Sequence, residues 1–432
     1  MDDQQASRLR QVAYNHQEPA WFIEKRLAAQ KLLLNNIDLP KMQRFKFDNW
    51  PFFSKHDIDL QIAESIEKNA VTTNEFNVLQ IGQTTCSLNF PKKYQEQGVI
   101  FTDIFTALKK YPEMIKKYFM TEVIKMDEDR ITAYHQAFVN AGLFLYVPKN
   151  VEINIPIKAD LVQDSKSETS FNPHLLIVAG QNSKLKFVQH LKTIGSCHNT
   201  MNMAVEIWAE DGSHVEFSSL EEIGKNTTLY FNKRANIMRD AYVEWAVGLM
   251  NDCNTVGNID SELIGDGSYA YSKAIAVTTD KQHVGINNRV INRGPHSTGL
   301  INQRGVLLDN SRLIFNGIGQ IKHGAHGSKA DQQNRVLMMS DNAHGDANPL
   351  LLIDENDVIA AHAASVGPVD PIQMNYLMSR GIPFDQAERL VIRGFLGAVL
   401  DAIPAVDVRH EMINILERKL INGQNRYRKD QK

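Results

Sequence analysis

Residues 183–220 read SKLKFVQHLKTIGSCHNTMNMAVEIWAEDGSHVEFSSL. The runs SKLKFVQHL, MAVEIWA and HVEFSSL place apolar residues at alternate positions, the period of a strand with one buried face. Asp211-Gly212 supplies turn chemistry before the last run, as do Gly180, Gly265-Asp266-Gly267 and Asp309-Asn310 elsewhere. The pattern also repeats. Lys184-Leu185-Lys186-Phe187, His214-Val215-Glu216-Phe217, Tyr242-Val243-Glu244-Trp245 and Ser268-Tyr269-Ala270-Tyr271 recur every 26–30 residues, each with one apolar or aromatic residue two positions after another. A repeat of that length implies stacked coils, each burying its apolar side against its neighbours. A β-solenoid core over residues 145–366 is therefore expected, although periodicity alone also fits a β-sandwich or jelly roll.

On either side the period changes. Within residues 1–144, Trp21, Phe22, Leu27, Leu32 and Leu33 recur near helical spacing after Pro19, and Asp38-Leu39-Pro40 breaks the run. A polar stretch over residues 61–77 follows. FTDIFTALKKYPEMIKKYFM is amphipathic at helical spacing, and ITAYHQAFVNAGLFLYVPKN reads as a helix ending near Gly142 and turning into a strand. Residues 367–432 read as helices: Asp370-Pro371 supplies an N-cap and a pre-set first position, and Gly381 a stop. Ile372, Tyr376 and Leu377 share one helix face; Ala387, Leu390, Val391, Gly394, Phe395 and Ala398 share another, with Gly394 and Gly397 permitting close approach. The helical ends are expected to cap the open ends of the solenoid, and a coil left bare would offer its main chain to another chain.

A chain of 432 residues, 43% hydrophobic, can bury a sizeable core, and its formal charge of −3 gives no general attraction to nucleic acid or an acidic membrane. Cys86, Cys197 and Cys253 are odd in number and far apart, which argues against a disulfide framework and fits a reducing cytoplasm. No signal-peptide pattern opens the sequence and no apolar run is long enough to span a bilayer.

Residues 340–404 carry a denser pattern: Pro349, Leu351, Ile353, Asp357, Val358, His362, Ala364, Val366 and Gly367, then Tyr376-Leu377, Ser379-Arg380-Gly381-Ile382, Ala387, Leu390 and Gly394-Phe395. This resembles the C-terminal signature of the SufB/SufD family, the non-ATPase subunits of the SUF iron–sulfur cluster assembly machinery. Glu18-Pro19, Trp21, Gly98-Val99, Ala133, Ala137-Phe138, Gly142 and Val147-Pro148 resemble its N-terminal half in the same order. The resemblance implies a mainly β protein, a right-handed parallel β-helix flanked by helical domains. It also implies pairing with a SufB-like subunit through the β-helix, and C-terminal helices that bind the ABC-type ATPase SufC through Tyr376, Leu377, Leu390, Val391, Gly394 and Phe395. His362 would face a SufB cysteine across the interface, where neutral imidazole can bind ferrous iron. No cofactor would be held stably; iron or a transient iron–sulfur cluster would pass through that interface. An isolated chain could instead pair with itself.

Two positions depart from the family pattern: Ala360 stands where relatives often carry Cys, and Leu352 where they carry Glu. No cysteine follows Cys253, so principal cluster ligands must come from the partner, as on the SufD side of the family. The absence of a P-loop pattern places ATP hydrolysis on another protein, and no enzymatic role is expected for this chain. Other candidates have plain readings. His323 and His326, with His344 and Asp346 downstream, could hold a metal, but exposed turn histidines in a Gly-rich loop are the better reading, since no Cys or third ligand has a recognised spacing. Asp331-Gln332-Gln333 satisfies backbone groups at a turn, His283 has no assigned chemistry, and Cys253 reads as a small buried hydrophobe. His362 itself, between alanines, could be a satisfied core residue. The rival function, a β-solenoid carbohydrate-active enzyme, needs a groove with converging carboxylates, which the strands do not show.

Overall fold

The structure, a computed structural model, describes residues 3–35, 37–54, 76–401 and 406–430; most of the polar stretch at 61–77 lies outside the described residues. The N-terminal part holds α1 (Asp3–Asn15), α2 (Ala20–Leu34), β1 (Asn77–Ile81), β2 (Thr84–Asn89), α3 (Lys92–Glu96), β3 (Ile100–Asp103), α4 (Ile104–Lys110), α5 (Pro112–Tyr118) and α6 (Arg130–Phe138). Sixteen strands follow: β4 (Ala141–Val147), β5 (Ile157–Ser165), β6 (Pro173–Ala179), β7 (Lys184–Gly195), β8 (Asn199–Ala209), β9 (His214–Glu222), β10 (Thr227–Ile237), β11 (Tyr242–Leu249), β12 (Asn254–Leu263), β13 (Tyr269–Thr278), β14 (His283–Asn292), β15 (Thr298–Leu307), β16 (Arg312–Ile321), β17 (Ser328–Met338), β18 (His344–Ile353) and β19 (Val358–Gly367). The chain ends in α7 (Pro371–Ser379), α8 (Phe384–Leu400) and α9 (Val406–Asp430).

From β4 onward successive strands alternate between two sheets. One has ten strands in the order β19-β17-β15-β13-β11-β9-β7-β5-β1-β2, and the other nine in the order β18-β16-β14-β12-β10-β8-β6-β4-β3. Pairing from β4 onward is parallel, so each coil adds one strand to each sheet, and the result is a β-solenoid of about eight turns. The repeat read from the sequence is the register itself: Lys184 pairs with His214 and His214 with Tyr242. At the fourth repeat the reading slips by one residue, because Tyr242 pairs with Tyr269, not Ser268. Tyr271 consequently lies beside Glu244, and Ser272 takes the inward place below Trp245.

One inward column runs Phe187, Phe217, Trp245, Ser272, Ile301, Gln332, His362. Its first members are wholly buried, and the Phe187 and Phe217 rings stack at 5.8 Å. Each such buried side chain is worth about 1.5–3 kcal/mol over its exposed state. The interior is not uniformly apolar. Lys233 is buried between Glu221 at 3.2 Å and Gln189 at 2.8 Å, with the Phe217 and Phe231 rings on either side.

The helices clothe the sheet faces instead of the ends. α2, α4 and α5 pack with Phe144, Leu176, Val178 and Ala204 on the nine-stranded sheet. Met42, Phe45, Phe47 and Phe52 cover Tyr230, Val256 and Ile314 farther along it. α8 and α9 bury Ile392, Leu396, Met412 and Leu416 on Val188, Leu220, Ala246 and Ile275 of the ten-stranded sheet. The first end is closed by strands: β2 and β3 run antiparallel to their neighbours, over a plug of Phe76, Phe90, Tyr94 and Phe101. Two local expectations are corrected. The run FTDIFTALKKYPEMIKKYFM opens as strand β3 and breaks at Pro112, and α6 ends at Phe138, so Gly142 already lies in β4. Glycine is required there: φ is +139°, and a Cβ would fall 2.0 Å from the His174 carbonyl oxygen.

Candidate functional site at the last coil

β18 and β19 form the last coil, and each has a strand on one side only. His362 sits in mid-β19, paired in register with the buried Gln332. It continues the inward column, yet it is exposed, because among the described residues no further coil lies over it. Ala360 and Ala364, the neighbouring inward positions, stack on Ala330 and Asn334. Among the described residues the His362 imidazole makes no hydrogen bond or ion pair. Leu352, at the other departure from the family pattern, is 45% exposed on β18.

Beyond the coil, α7 and α8 present Tyr376 (59% exposed), Leu390 (49%) and the exposed Gly394, with Leu377, Val391 and Phe395 half-buried. A Cβ built on Gly394 would meet nothing within 4 Å, so its expected close approach is not used inside this chain. Phe395 is anchored instead, its carbonyl accepting from Arg304, which also lies over its ring. The Ala398 side chain lies outside what is described.

The histidine candidates are not gathered. His323 is 92% exposed in its side chain and nearest Glu355, His326 faces the His296 ring, and His344 lies 3.5 Å from Asp346. His283 is exposed, its pKa lowered by partial burial and Arg312. Asp331-Gln332-Gln333 lies within β17, not at a turn, where the Gln332 amide donates to the Leu350 carbonyl at 2.7 Å. Burial pushes the Cys253 thiol up to about 12, which suits an inert core residue.

Comparison with known proteins follows the same outline. Residues 161–395 match the SufBD core domain of the SUF iron–sulfur cluster assembly system, and residues 42–159 match the SufBD N-terminal region. The chain belongs to the SufBD family. The iron–sulfur cluster assembly protein SufD of Bacillus subtilis (strain 168) is 41% identical over 95% of this chain and 97% of its own length. SufBD family proteins of Staphylococcus haemolyticus (strain JCSC1435) and Staphylococcus aureus (strain N315) are 24% and 23% identical over 92% of this chain and 89% of theirs.

Several of the SufBD-like positions now have physical roles. Glu18 takes two hydrogen bonds of 2.8 Å from the fully buried Arg26, which also donates to the carbonyls of Ala137 and Val139 and so locks α2 to the end of α6. Burial alone would raise the Glu18 carboxyl, but Arg26 and His16 hold it below its ordinary range. Pro349 is accommodated because β18 is an edge strand.

Two polar clusters escaped the sequence reading. Glu206 accepts the backbone N–H groups of Met120 and Ile124 at 2.8 and 3.0 Å, and lies 3.0 Å from His174 Nε2; His174 Nδ1 meets His135 Nε2 at 3.0 Å. Burial holds all three neutral, raising Glu206 to about 8, lowering His174 to about 3 and lowering His135. On the other sheet, the buried His190 lies 3.2 Å from Glu222 and 3.5 Å from both Asp160 and Glu411 of α9. Among the described residues His190, Glu222 and Glu411 are the one set whose atoms converge as metal ligands could. Lys192 pairs with Glu411 and Arg418 with Glu222, so the charges are already balanced, and the cluster acts as a clasp holding α9 to the sheet. Neither cluster follows from spacing, since each joins distant elements.

Proposed function

We propose that this chain is a non-catalytic scaffold subunit of iron–sulfur cluster assembly that pairs through its last coil with a SufB-type subunit and carries a SufC-type ATPase on α7 and α8. The observation behind it is the bare coil: two edge strands, small side chains along β19, and an imidazole with no partner among the described residues. An edge of unpaired N–H and C=O groups gains main-chain hydrogen bonds by adding a strand. A sister subunit seated there would bring its cysteine sulfur beside His362. Neutral imidazole donates a lone pair to ferrous iron, and the protonated ring stabilises thiolate or persulfide, so the seam would handle iron and sulfur as substrates in transit. The exposed Tyr376 and Leu390, with the open helix surface at Gly394, form the ATPase face. ATP-driven closure of two ATPase copies would then pull on the seam. The unpaired cysteines favour a reducing compartment, the cytoplasm; no described helix is long and apolar enough to cross a membrane.

The test is co-expression with the SufB-type and SufC-type subunits, followed by sizing and by iron and sulfide quantification. A stoichiometric complex is expected, with His362→Ala still assembling but accumulating several-fold less iron and sulfide. Failure to bind either subunit sinks that contact, and full cluster content in His362→Ala removes the imidazole from the chemistry.

A further inference from the structure

The outer face of the nine-stranded sheet carries an asparagine ladder. Asn258, Asn287, Asn316 and Asn348 pair in register on β12, β14, β16 and β18. Asn287 Nδ2 donates to Asn258 Oδ1 at 2.9 Å, Asn316 Nδ2 to Asn287 Oδ1 at 2.9 Å, and Asn348 Nδ2 to Asn316 Oδ1 at 3.0 Å. The direction is fixed, because Asn316 Nδ2 also donates to the Gln43 backbone carbonyl at 3.2 Å, and a carbonyl only accepts. Every amide therefore points its nitrogen toward earlier coils and its oxygen toward the open end. At Asn348 the row stops, and among the described residues nothing donates to its Oδ1. Hydrogen-bonded amides in a chain polarise one another, which makes this last oxygen a strengthened acceptor on the bare edge.

We propose that Asn348 is a partner-reading residue: the strand that completes β18 comes from a SufBD-family sister subunit and sets a side-chain N–H or O–H donor against Asn348 Oδ1, and that contact selects its register. The inference rests on the reading of the last coil as a pairing seam. A family member shares the coil geometry. Side chains two apart stay on one face of a strand whichever way it runs, so an outward side chain of the added strand meets the ladder's end. A one-residue slip turns that side chain inward and leaves the oxygen unmet, and an Asp or Glu there is repelled.

The test measures binding of the SufB-type subunit by sedimentation velocity, with hydrogen exchange over β18, for the full-length wild-type chain, Asn348→Leu and Asn348→Asp. Both substitutions remove the Nδ2 donor to Asn316, but only Asp keeps the outward acceptor. Leu is expected to weaken binding about tenfold and to lose protection of β18, while Asp, whose inner oxygen is repelled by Asn316 Oδ1 but which keeps a charged outward acceptor, binds clearly more tightly than Leu. Melting curves check that all three fold. Equal loss in both variants makes the ladder merely structural and overturns the proposal. So does an unchanged affinity in both. Absence of any wild-type complex defeats the seam reading itself, and a self-dimer sensitive to Leu without sister binding overturns the choice of occupant.

Discussion

The two ends of the solenoid are built from the same coil and finish differently. At the start, β2 and β3 reverse direction, four aromatic side chains fill the opening, and α2 is locked down by a buried ion pair. At the finish, β18 and β19 keep the parallel register of every coil beneath them, and the inward positions above Ala330, Gln332 and Asn334 are taken by Ala360, His362 and Ala364 in the open. Covered strand edges are stability, whereas uncovered ones are adhesion. The buried Glu18–Arg26 pair lies at the first end, and the acceptor of Asn348 that meets no donor among the described residues lies at the second.

The largest expected effect breaks the closed end. Arg26→Ala leaves Glu18 buried beside two unpaired carbonyls, and removing one member of a buried pair costs about 3–5 kcal/mol. Thermal or denaturant unfolding should show that loss, with hydrogen exchange speeding up first in α2 and α6. A change below 1 kcal/mol would mean that the N-terminal helices are not held by this pair.

The next effect is a pH dependence at the same end. Glu206 has a folded pKa of about 8 against an ordinary 4.5, so it binds its proton more tightly when folded. Its contribution is full below pH 4.5 and is lost as pH rises through 8. His174, held near 3 against 6.5, acts oppositely: its contribution is present above pH 6.5 and lost as pH falls toward 3. Lys25 on α2 and Arg234 on β10 face Glu206 and limit the rise. Above pH 6.5 only the carboxyl matters, and between there and pH 8 the chain should lose about 1–2 kcal/mol. Glu206→Gln should flatten that slope; an unchanged slope in the variant would assign the loss to another group.

The contrast explains what could be read from sequence. The coil repeat was legible where its inward residues are large, at Phe187, Phe217 and Trp245, and the register slipped at Ser272, where the inward residue is small and polar. Solenoid and flanking helices were therefore legible. That the helices lie along the sheets, and that strands close the first end, was not, since a helix periodicity does not say which surface it covers. His362 stood out through its motif, but its exposure depends on there being no later coil. The asparagine ladder was hidden for another reason: single asparagines at 258, 287, 316 and 348 look like turn residues until the coils are stacked. Glu206, His174 and His135 are brought together only by the fold.

The smallest effect sharpens the comparison on the helical cover of the ten-stranded sheet, and Gly394 is the position for it. At Gly142 an added Cβ would strike a carbonyl 2.0 Å away, whereas at Gly394 it meets nothing within 4 Å. Gly394 lies inside α8, where glycine costs a helix up to about 1 kcal/mol relative to alanine. If the helix served this chain alone, Gly394→Ala would be a simple improvement. With a SufC-type subunit packed on that surface, the same methyl group occupies space the partner uses. Gly394→Ala is therefore expected to raise the melting temperature slightly while weakening ATPase-subunit binding several-fold in a titration. A higher melting temperature with unaltered binding would move the docking face away from Gly394, toward the exposed Ile372 and Tyr376 of α7.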